Sequence, residues 1–363
     1  MKHIVCFHLL NDYSGSPKVL NMVLKGLLEK HYKVDLITSQ KGGVLDKLSG
    51  CKYIKRYSYS YTFSNNSVVA ILRYLYVQTY TFLFSIRYLF QKNTIFLLNT
   101  LMPVGPALAG KMMGKKVIYY YHENAFVKGL FYKILAFMMQ CLADKVICVS
   151  EYQHSFLKRK KHVIVIPNSL SVDFEKRCKK NRVLDKDYKT ILMLSSLKLY
   201  KGTLEFIQLA QRLPQYHFVL VINDTKENVD FFCLKYNILC CNNLEIWDRQ
   251  SDVIPFYNKA SIVLNLSNKK EVVETFGLTV LEAMTAGVPV IVPTEGGISE
   301  LVEDGVNGYK IDVQDLDKIE QTIIHILSDK QLYHSLSENA LTRSKDYDYN
   351  SMINRIDQLL RSI

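Results

Sequence analysis

Short, fully apolar runs recur along this chain, and segments with helical periodicity separate them. Strands that are buried on both faces have this pattern, which is typical of parallel sheets. Between the first two runs, Pro17–Lys30 keeps one face apolar, as an amphipathic helix does. The alternation predicts an open α/β sheet covered by helices. The runs before residue 170 are Ile4–Leu9, Val34–Ile37, Thr94–Leu98, Val117–Tyr121, Val146–Val149 and Val163–Ile166.

The alternation restarts after a polar, charged stretch, Asp173–Lys189, which predicts a linker. The predicted domains are therefore 1–180 and 181–345, with 346–363 as a C-terminal helix that crosses back to the first domain. Two such sheets joined by a linker define a central cleft, where ligands bind in folds of this kind. Beyond the linker the predicted strands are Thr190–Leu194, His217–Ile222, Ile238–Cys241, Ile262–Leu266 and Pro289–Val292, and the predicted helices are Thr203–Leu213, Val253–Ala260, Leu278–Ala286 and Asn350–Ile363.

The basic charge is confined to one half of the chain. The formal net charge is +12, but residues 1–180 hold 27 basic and 9 acidic side chains, whereas residues 181–363 hold 19 and 25. An anionic partner is therefore expected to meet the first half. A nucleic acid is one such partner, but the acidic second half and the lack of any nucleic-acid-binding module argue against it.

Residues 52–92 combine twelve Tyr or Phe with six Lys or Arg and no acid. This composition suits the headgroup region of an anionic bilayer, although two helices packed into the first core explain it equally well. Because Arg73 and Arg87 interrupt the most apolar part, no spanning helix is expected. The N-terminus lacks the features of a signal peptide, and the eight cysteines show no metal-ligand spacing. The expected location is the cytoplasm, with a peripheral position on the inner face of the plasma membrane left open.

The segment from Glu274 to Val290 contains the most informative pattern. Its first part is a polar loop that follows an apolar run, and Gly277 allows a tight turn before a helix that begins near Leu278. Unpaired amides at the start of such a helix form an anion site suited to a phosphate. Glu274 lies in the loop and Glu282 lies in the helix, so the two carboxylates can accept from hydroxyls at different parts of one ligand.

At these residues the chain resembles the retaining nucleotide-sugar glycosyltransferases of family 4, which have the GT-B fold. Further segments match that family in the expected order, weakly before residue 115 and strongly from residue 143 onward. The resemblance implies two Rossmann-like, doubly wound parallel-sheet domains that face a central cleft, the first on the acceptor side and the second binding the donor. The matching segments are Ala143–Ser150, Ile166–Asn168, Lys201-Gly202, the E-x7-E pattern of Glu274 and Glu282, Gly296–Val302 and Asp304–Gly308.

The resemblance also implies roles for individual residues. Glu282 would hold the donor's ribose hydroxyls, and Glu274 would contact hydroxyls of the transferred sugar. Lys201 would neutralise the leaving diphosphate, while His122 would contact the donor sugar near the reacting carbon. Backbone groups would meet the sugar and the diphosphate at Gly15, Phe276, Gly277, Leu278 and Thr279. Glu274, His122 and Lys201 are thus the expected catalytic residues.

One position departs from the family pattern. Ser196 stands where the family usually has an Arg five residues ahead of the Lys. The missing Arg removes a bidentate phosphate clamp, for which Lys198 can substitute as a point charge or Ser196 as one neutral donor. Both are therefore candidate donor-binding residues.

The expected function is that of a retaining glycosyltransferase, of the hexosyl-transferring or a related type. It would move a sugar from a nucleotide-diphosphate donor to a glycan or a polyprenyl-diphosphate-linked acceptor in bacterial surface polysaccharide synthesis, such as that of capsule or O-antigen. No metal or other cofactor is expected, because placed amides and Lys201 would stabilise the leaving group. The alternatives are another GT-B enzyme, either an epimerase or a phosphorylase, a catalytically inactive scaffold, and a basic nucleic-acid-binding protein.

Overall fold

A computed structural model of the chain describes residues 2–40, 42–64, 66–127, 129–180, 189–238 and 242–363. The chain forms two compact units. The first unit comprises residues 1–167 together with Asn350–Ile363, and the second comprises Asn168–Tyr349. The sequence-based boundaries after residues 180 and 345 therefore differ from the structural ones by thirteen and four residues.

The first unit contains a seven-stranded sheet in which every neighbouring pair is parallel, in the order β3-β2-β1-β4-β5-β6-β7. The strands that were predicted as apolar runs lie in this sheet, and β1, β4 and most of β5 are fully buried. The strands are β1 (His3–His8), β2 (Lys33–Ser39), β3 (Ile54–Tyr59), β4 (Thr94–Asn99), β5 (Lys116–Tyr121), β6 (Lys145–Cys148) and β7 (Val163–Val165).

Helices cover both faces of this sheet. The chain moves from β1 to β2 in one direction but from β3 to β4, β5 and β6 in the other, and parallel crossovers are right-handed. Helix α1 therefore lies on one face, whereas α2, α3 and α4 share the opposite face. The helices before residue 160 are α1 (Gly15–Glu29), α2 (Ser67–Ser85), α3 (Gly105–Met112), α4 (Leu130–Leu142) and α5 (Glu151–Ser155).

The second unit repeats this architecture with a six-stranded parallel sheet in the order β10-β9-β8-β11-β12-β13. Its strands are β8 (Thr190–Ser195), β9 (His217–Ile222), β10 (Leu244–Trp247), β11 (Ile262–Leu264), β12 (Val290–Val292) and β13 (Gly308–Lys310). Its helices are α6 (Val172–Lys180), α7 (Thr203–Arg212), α8 (Lys226–Lys235), α9 (Ile254–Lys259), α10 (Leu278–Thr285), α11 (Leu316–Ser328) and α12 (Lys330–Ser344).

The prediction that Asp173–Lys189 is a linker is wrong for the first half of this segment. Helix α6 occupies it, with Cys178 buried and the Phe174 ring 6.3 Å from the ring of Tyr257. Most of its residues are charged, so its polar composition concealed it. Residues 181–188 and most of the predicted strand Ile238–Cys241 lie outside the described residues.

The final helix, α13 (Tyr349–Arg361), belongs largely to the first unit. Its Ile353 packs so closely on α1 that a Cβ added at Gly26 would lie 2.7 Å from the Ile353 side chain. The buried Asp357 carboxylate accepts from the Tyr32 hydroxyl at 2.7 Å and from Arg361 at 2.9 Å. The C-terminal residues thus complete the N-terminal unit on the face that α1 covers.

Candidate functional site

The carboxyl edge of the second sheet has a point where the strand order reverses. From β8 the chain turns toward β9, whereas from the adjacent β11 it turns toward β12 on the other side. Lys201 follows β8, and the loop with Glu274 follows β11. Open α/β sheets bind ligands at such a switch point, because the helices on the two sides leave a crevice there. The topology therefore places the predicted donor residues where a ligand is expected.

Lys201 and Glu274 form an ion pair across this point. The Lys201 ammonium donates to Glu274 Oε1, and the Ser267 hydroxyl donates to the same oxygen at 3.0 Å. Burial alone would lower the pKa of Lys201, but the charge of Glu274 and the hydrogen bond to it outweigh burial and raise that pKa. The lysine is therefore cationic at neutral pH, and the carboxylate is held in one orientation.

Gly202 allows the segment after β8 to approach the loop after β11 closely. Its φ is 78°, in the left-handed region, and a Cβ at this position would lie 2.2 Å from the carbonyl oxygen of Leu266. A glycine is needed here for both reasons, since any side chain would push α7 away from the loop after β11. The Lys-Gly pair of the sequence pattern thus sets the position of Lys201.

Helix α10 begins at the same edge with amides that no side chain caps. Gly277 occupies the N-cap position with φ 101°, and its carbonyl accepts from the amides of Val280 and Leu281 at 3.1 and 3.2 Å. Gly277 has no side chain to offer to the amides of Leu278 and Thr279. The start of this helix therefore presents donors and the positive end of its dipole, which suits a phosphate.

Glu282 lies within α10, and a buried tyrosine holds its carboxylate. The Tyr257 hydroxyl donates to Glu282 Oε2 at 2.6 Å and lies 3.2 Å from the carbonyl oxygen of Thr279. Burial, followed by the nearby charge of Glu282, raises the pKa of Tyr257 well above its usual value. Tyr257 is therefore a hydrogen-bond donor at any physiological pH, and it fixes one oxygen of the carboxylate.

We expect Tyr257→Phe to weaken binding of a nucleoside diphosphate roughly five- to tenfold, because about 1 kcal/mol of carboxylate orientation is lost with the hydroxyl. Calorimetric titration with a panel of nucleoside diphosphates measures this. Tyr216→Phe is the matched control, since Tyr216 precedes β9 at the opposite edge of the sheet and should have no effect. Equal affinities in wild type and Tyr257→Phe would contradict the role of this hydroxyl.

Ser196, which stands where the family usually has an Arg, and Lys198 also lie at this edge, because both follow β8. The carbonyl of Ser196 accepts from the Ser195 hydroxyl at 3.2 Å and from the Thr203 hydroxyl at 3.4 Å. The ammonium groups of Lys198 and Lys201 lie 5.8 and 5.7 Å from the centre of the Tyr200 ring. Both ammonium groups thus lie beside the same ring, in the segment that follows β8.

Phe276 lies in the loop that precedes α10. Its side chain is buried, and its ring lies 5.7 Å from that of Tyr347. The ring is thus a core contact that anchors the loop between Glu274 and α10.

In the first unit, His122 joins a hydrogen-bonded chain at the carboxyl edge of the sheet. His122 Nε2 lies 2.9 Å from Asn99 Oδ1, and Asn99 Nδ2 lies 3.0 Å from His8 Nδ1. Because an amide oxygen accepts and an amide nitrogen donates, the proton of His122 is on Nε2 and that of His8 is on its own Nε2. Gly15 is the first residue of α1, which follows β1 at the same edge.

Both histidines are neutral at physiological pH. Burial, with repulsion from His8 as a smaller cause, lowers the pKa of His122 to about 3. Burial lowers the pKa of His8 to about 4, although the charge of Asp12 opposes it. Since both values lie below the ordinary value of about 6.5, the stability that these groups contribute is complete above pH 6.5 and is lost as the pH falls toward 3.

We therefore expect His122→Gln to flatten the pH dependence of stability. Glutamine keeps an N–H for Asn99 but cannot titrate, so at about pH 5 the wild type should have lost at most about 2 kcal/mol more than the variant, relative to pH 7. Urea unfolding of both proteins at the two pH values measures this difference. Parallel losses of stability would show that His122 titrates normally.

Four residues that form hydrogen bonds in these two groups were not predicted as site residues from the sequence: Tyr257, Ser267, Asn99 and His8. Asn99 and His8 each end a buried strand, and the rule that ligands gather at the carboxyl ends of strands could have identified them. Tyr257 lies within a short helix that carries no distinguishing pattern. Among the described residues, no group of three or more His, Cys, Asp or Glu side chains is arranged to hold a metal ion.

Comparison with known proteins identifies the family. The family described as "Glycosyltransferase Family 4" matches residues 13–174, and "Glycosyl transferases group 1" matches residues 174–343. The chain belongs to glycosyltransferase family 4. The two matches together follow nearly the whole chain, and they confirm the resemblance that the motifs indicated.

The chain is also similar to curated proteins over part of its length. It is 27% identical over 217 residues to an uncharacterized glycosyltransferase of Methanocaldococcus jannaschii, covering 58% of this chain and 57% of the relative. It is 28% identical over 200 residues to the N-acetyl-alpha-D-glucosaminyl L-malate synthase of Bacillus anthracis, covering 52% and 50%. The chain thus spans about half the length of the curated relatives it matches.

Solved structures confirm the fold. HepE of Anabaena in complex with UDP-glucose superposes with a TM-score of 0.77 at 18% identity and 100% coverage of both chains. At this identity the likeness shows the fold alone. The two Rossmann-like parallel-sheet units are those of a GT-B glycosyltransferase, as the sequence predicted.

Proposed function

We propose that this chain transfers a sugar from a nucleoside-diphosphate donor to a glycan or a polyprenyl-diphosphate-linked glycan, with retention of the anomeric configuration. The observation that carries the proposal is the set of groups at the switch point of the second sheet. Glu282 held by Tyr257, the Lys201–Glu274 pair and the uncapped start of α10 offer acceptors for hydroxyls and donors for phosphate at one edge.

A uridine donor is the first choice for testing. The structural neighbour HepE is seen with UDP and with UDP-glucose. Family membership supports a nucleotide sugar, and the Glu282 carboxylate suits a pair of ribose hydroxyls because it is a bidentate acceptor. Because Ser196 replaces the Arg that the family usually has, Lys198 would supply the positive charge instead.

In the proposed reaction, the bond between the anomeric carbon and the phosphate oxygen breaks while the acceptor oxygen bonds to the same face of that carbon. The acceptor proton passes to the leaving phosphate oxygen. Negative charge grows on the diphosphate, where the Lys201 ammonium and the amides of α10 stabilise it. Glu274, held in place by Lys201 and Ser267, would position hydroxyls of the transferred sugar.

Neutral His122 would contact the donor sugar near the reacting carbon. Its protonation is set by Asn99, which accepts from Nε2. A neutral imidazole there would add no positive charge beside the carbon that becomes electron-deficient. Lys201 and the helix amides supply the electrostatic stabilisation, so we propose that the reaction needs no metal ion.

We propose a cytoplasmic role in bacterial surface polysaccharide synthesis, where nucleotide sugars and lipid-linked acceptors meet. The experiment is incubation with nucleotide sugars and lipid-linked glycans, with and without EDTA, followed by NMR of the product. An α-linked product from an α-linked donor and an unchanged rate in EDTA are expected. An inverted product would contradict retention, and loss of the rate in EDTA would contradict metal independence.

A further inference from the structure

Helix α2 presents an apolar face to the outside. Its exposed positions recur at helical spacing, and they hold Val68, Ile71, Leu72, Leu75, Tyr76 and Leu83. The opposite side of the helix, with Val77 and Phe84, is buried in the core. An ordinary surface helix has polar residues on its outer side, so an apolar outer stripe is unusual for a water-exposed element.

Helix α4 continues this apolar face. Leu130, Phe131, Ile134 and Phe137 are exposed, while Leu135 and Met139 are buried in the same core as the inner side of α2. The Phe131 ring lies 5.7 Å from that of Tyr74 on α2. The two helices are thus neighbours on one face of the first sheet, and their exposed side chains form one surface.

Helix α2 lies on the surface of the first unit and packs against the start of α3. Ser67–Tyr88, which is α2 with the turn that follows it, is long and apolar enough to cross a membrane by length and composition, although part of it is buried in the protein. Yet Gln78 Oε1 accepts from the amides of Val104 and Gly105 at 2.8 and 2.9 Å, and a Cβ on Gly105 would lie 2.1 Å from the Gln78 carbonyl oxygen. With these backbone contacts to α3, the helix is packed as a surface element, as an interfacial helix is.

The charge of this region has one sign. No Asp or Glu occurs between Asp46 and Glu123 or within α4, and ten Lys or Arg lie between those two acids. The exposed basic residues include Lys92 after α2 and Lys133 on α4. A second copy of the chain seated on this surface would bring two basic regions together, whereas an anionic surface would complement it.

We propose that the exposed face of α2 and α4 docks on the surface of an anionic lipid bilayer. The apolar side chains would enter the headgroup boundary, and the flanking lysines would contact lipid phosphates. The inference rests on the exposed side chains and the charge of this face, so it stands or falls independently of the proposed transfer reaction.

Co-sedimentation with vesicles tests the proposal. The test variant is Leu72→Ser with Phe137→Ser, which removes one side chain of each helix at 61% and 66% exposure. The matched control is Leu234→Ser with Phe231→Ser on α8 of the second unit, at 74% and 67% exposure. All four positions are exposed, so both proteins should keep the thermal unfolding midpoint of the wild type.

Wild type and control should bind vesicles that mix phosphatidylglycerol with phosphatidylcholine, weakly bind pure phosphatidylcholine, and dissociate as the salt concentration rises. The test variant should bind about tenfold more weakly. Equal binding by the test and control variants would overturn the proposal. A wild type that ignores vesicles but forms a dimer, which the test variant abolishes, would assign the face to a second copy.

Discussion

Replacing Lys201 by Met should lower kcat by about 100- to 1000-fold while changing donor KM much less. The ammonium is cationic, and in the proposed reaction it would face the place where negative charge grows on the leaving diphosphate, so its contribution would be larger in the transition state than in the ground state. Steady-state kinetics with the preferred donor measure both parameters. The variant also removes the ionic partner of Glu274, but the Ser267 hydroxyl still donates to the Glu274 carboxylate.

The matched control for Lys201 is Arg212→Met. Arg212 pairs with Asp317 at 2.6 Å, and it ends the helix that begins beside Lys201. Ten helical residues, or about 15 Å, separate the two ends, so this loss of an ion pair should leave kcat within about twofold. A raised KM with an unchanged kcat in Lys201→Met would place the lysine in ground-state binding and contradict the proposed stabilisation.

Replacing Glu282 by Ala should weaken binding of the donor's nucleoside diphosphate at least about 150-fold. Two hydrogen bonds from hydroxyls to a charged acceptor are lost, and each contributes roughly 1.5 kcal/mol or more. Calorimetric titration gives the affinity directly. Glu282→Gln should lose less, because the amide keeps one acceptor oxygen.

Glu271→Gln is the control for Glu282. Glu271 is exposed in the loop after β11 and accepts from Asn268 at 3.0 Å. The Glu271→Gln protein should bind the nucleoside diphosphate with the affinity of the wild type. An unchanged affinity in folded Glu282→Ala would show that this carboxylate does not hold the donor.

The central strands of both sheets could be predicted from the sequence, but three edge strands could not. Strands β1, β4 and β5 are buried, so each is a continuous apolar run. Strands β3, β10 and β13 lie at sheet edges, where half-exposed residues replace that run with polar and aromatic ones. Apolar periodicity reports burial, and it therefore missed these three strands, whereas the edge strand β7 keeps an apolar run and was predicted.

The candidate site was predictable only where residues follow a pattern along the chain. Glu274, Glu282 and Lys201 belong to motifs whose spacing is set by a turn and a helix, so the sequence indicates them. Tyr257 and Asn99 act through contacts that the fold creates between separate elements. Such contacts depend on which strands become neighbours, and a single sequence does not contain that information.

The most direct test of the proposed donor site is nucleoside-diphosphate release from a panel of nucleotide sugars, measured for the wild type and Glu282→Ala in parallel. We expect the wild type to consume at least one nucleotide sugar, with a uridine donor tried first, and the variant to show almost no turnover of it. If a folded wild type consumes none of them, or if Glu282→Ala consumes the same donor at the wild-type rate, the proposed donor site in the second unit is wrong.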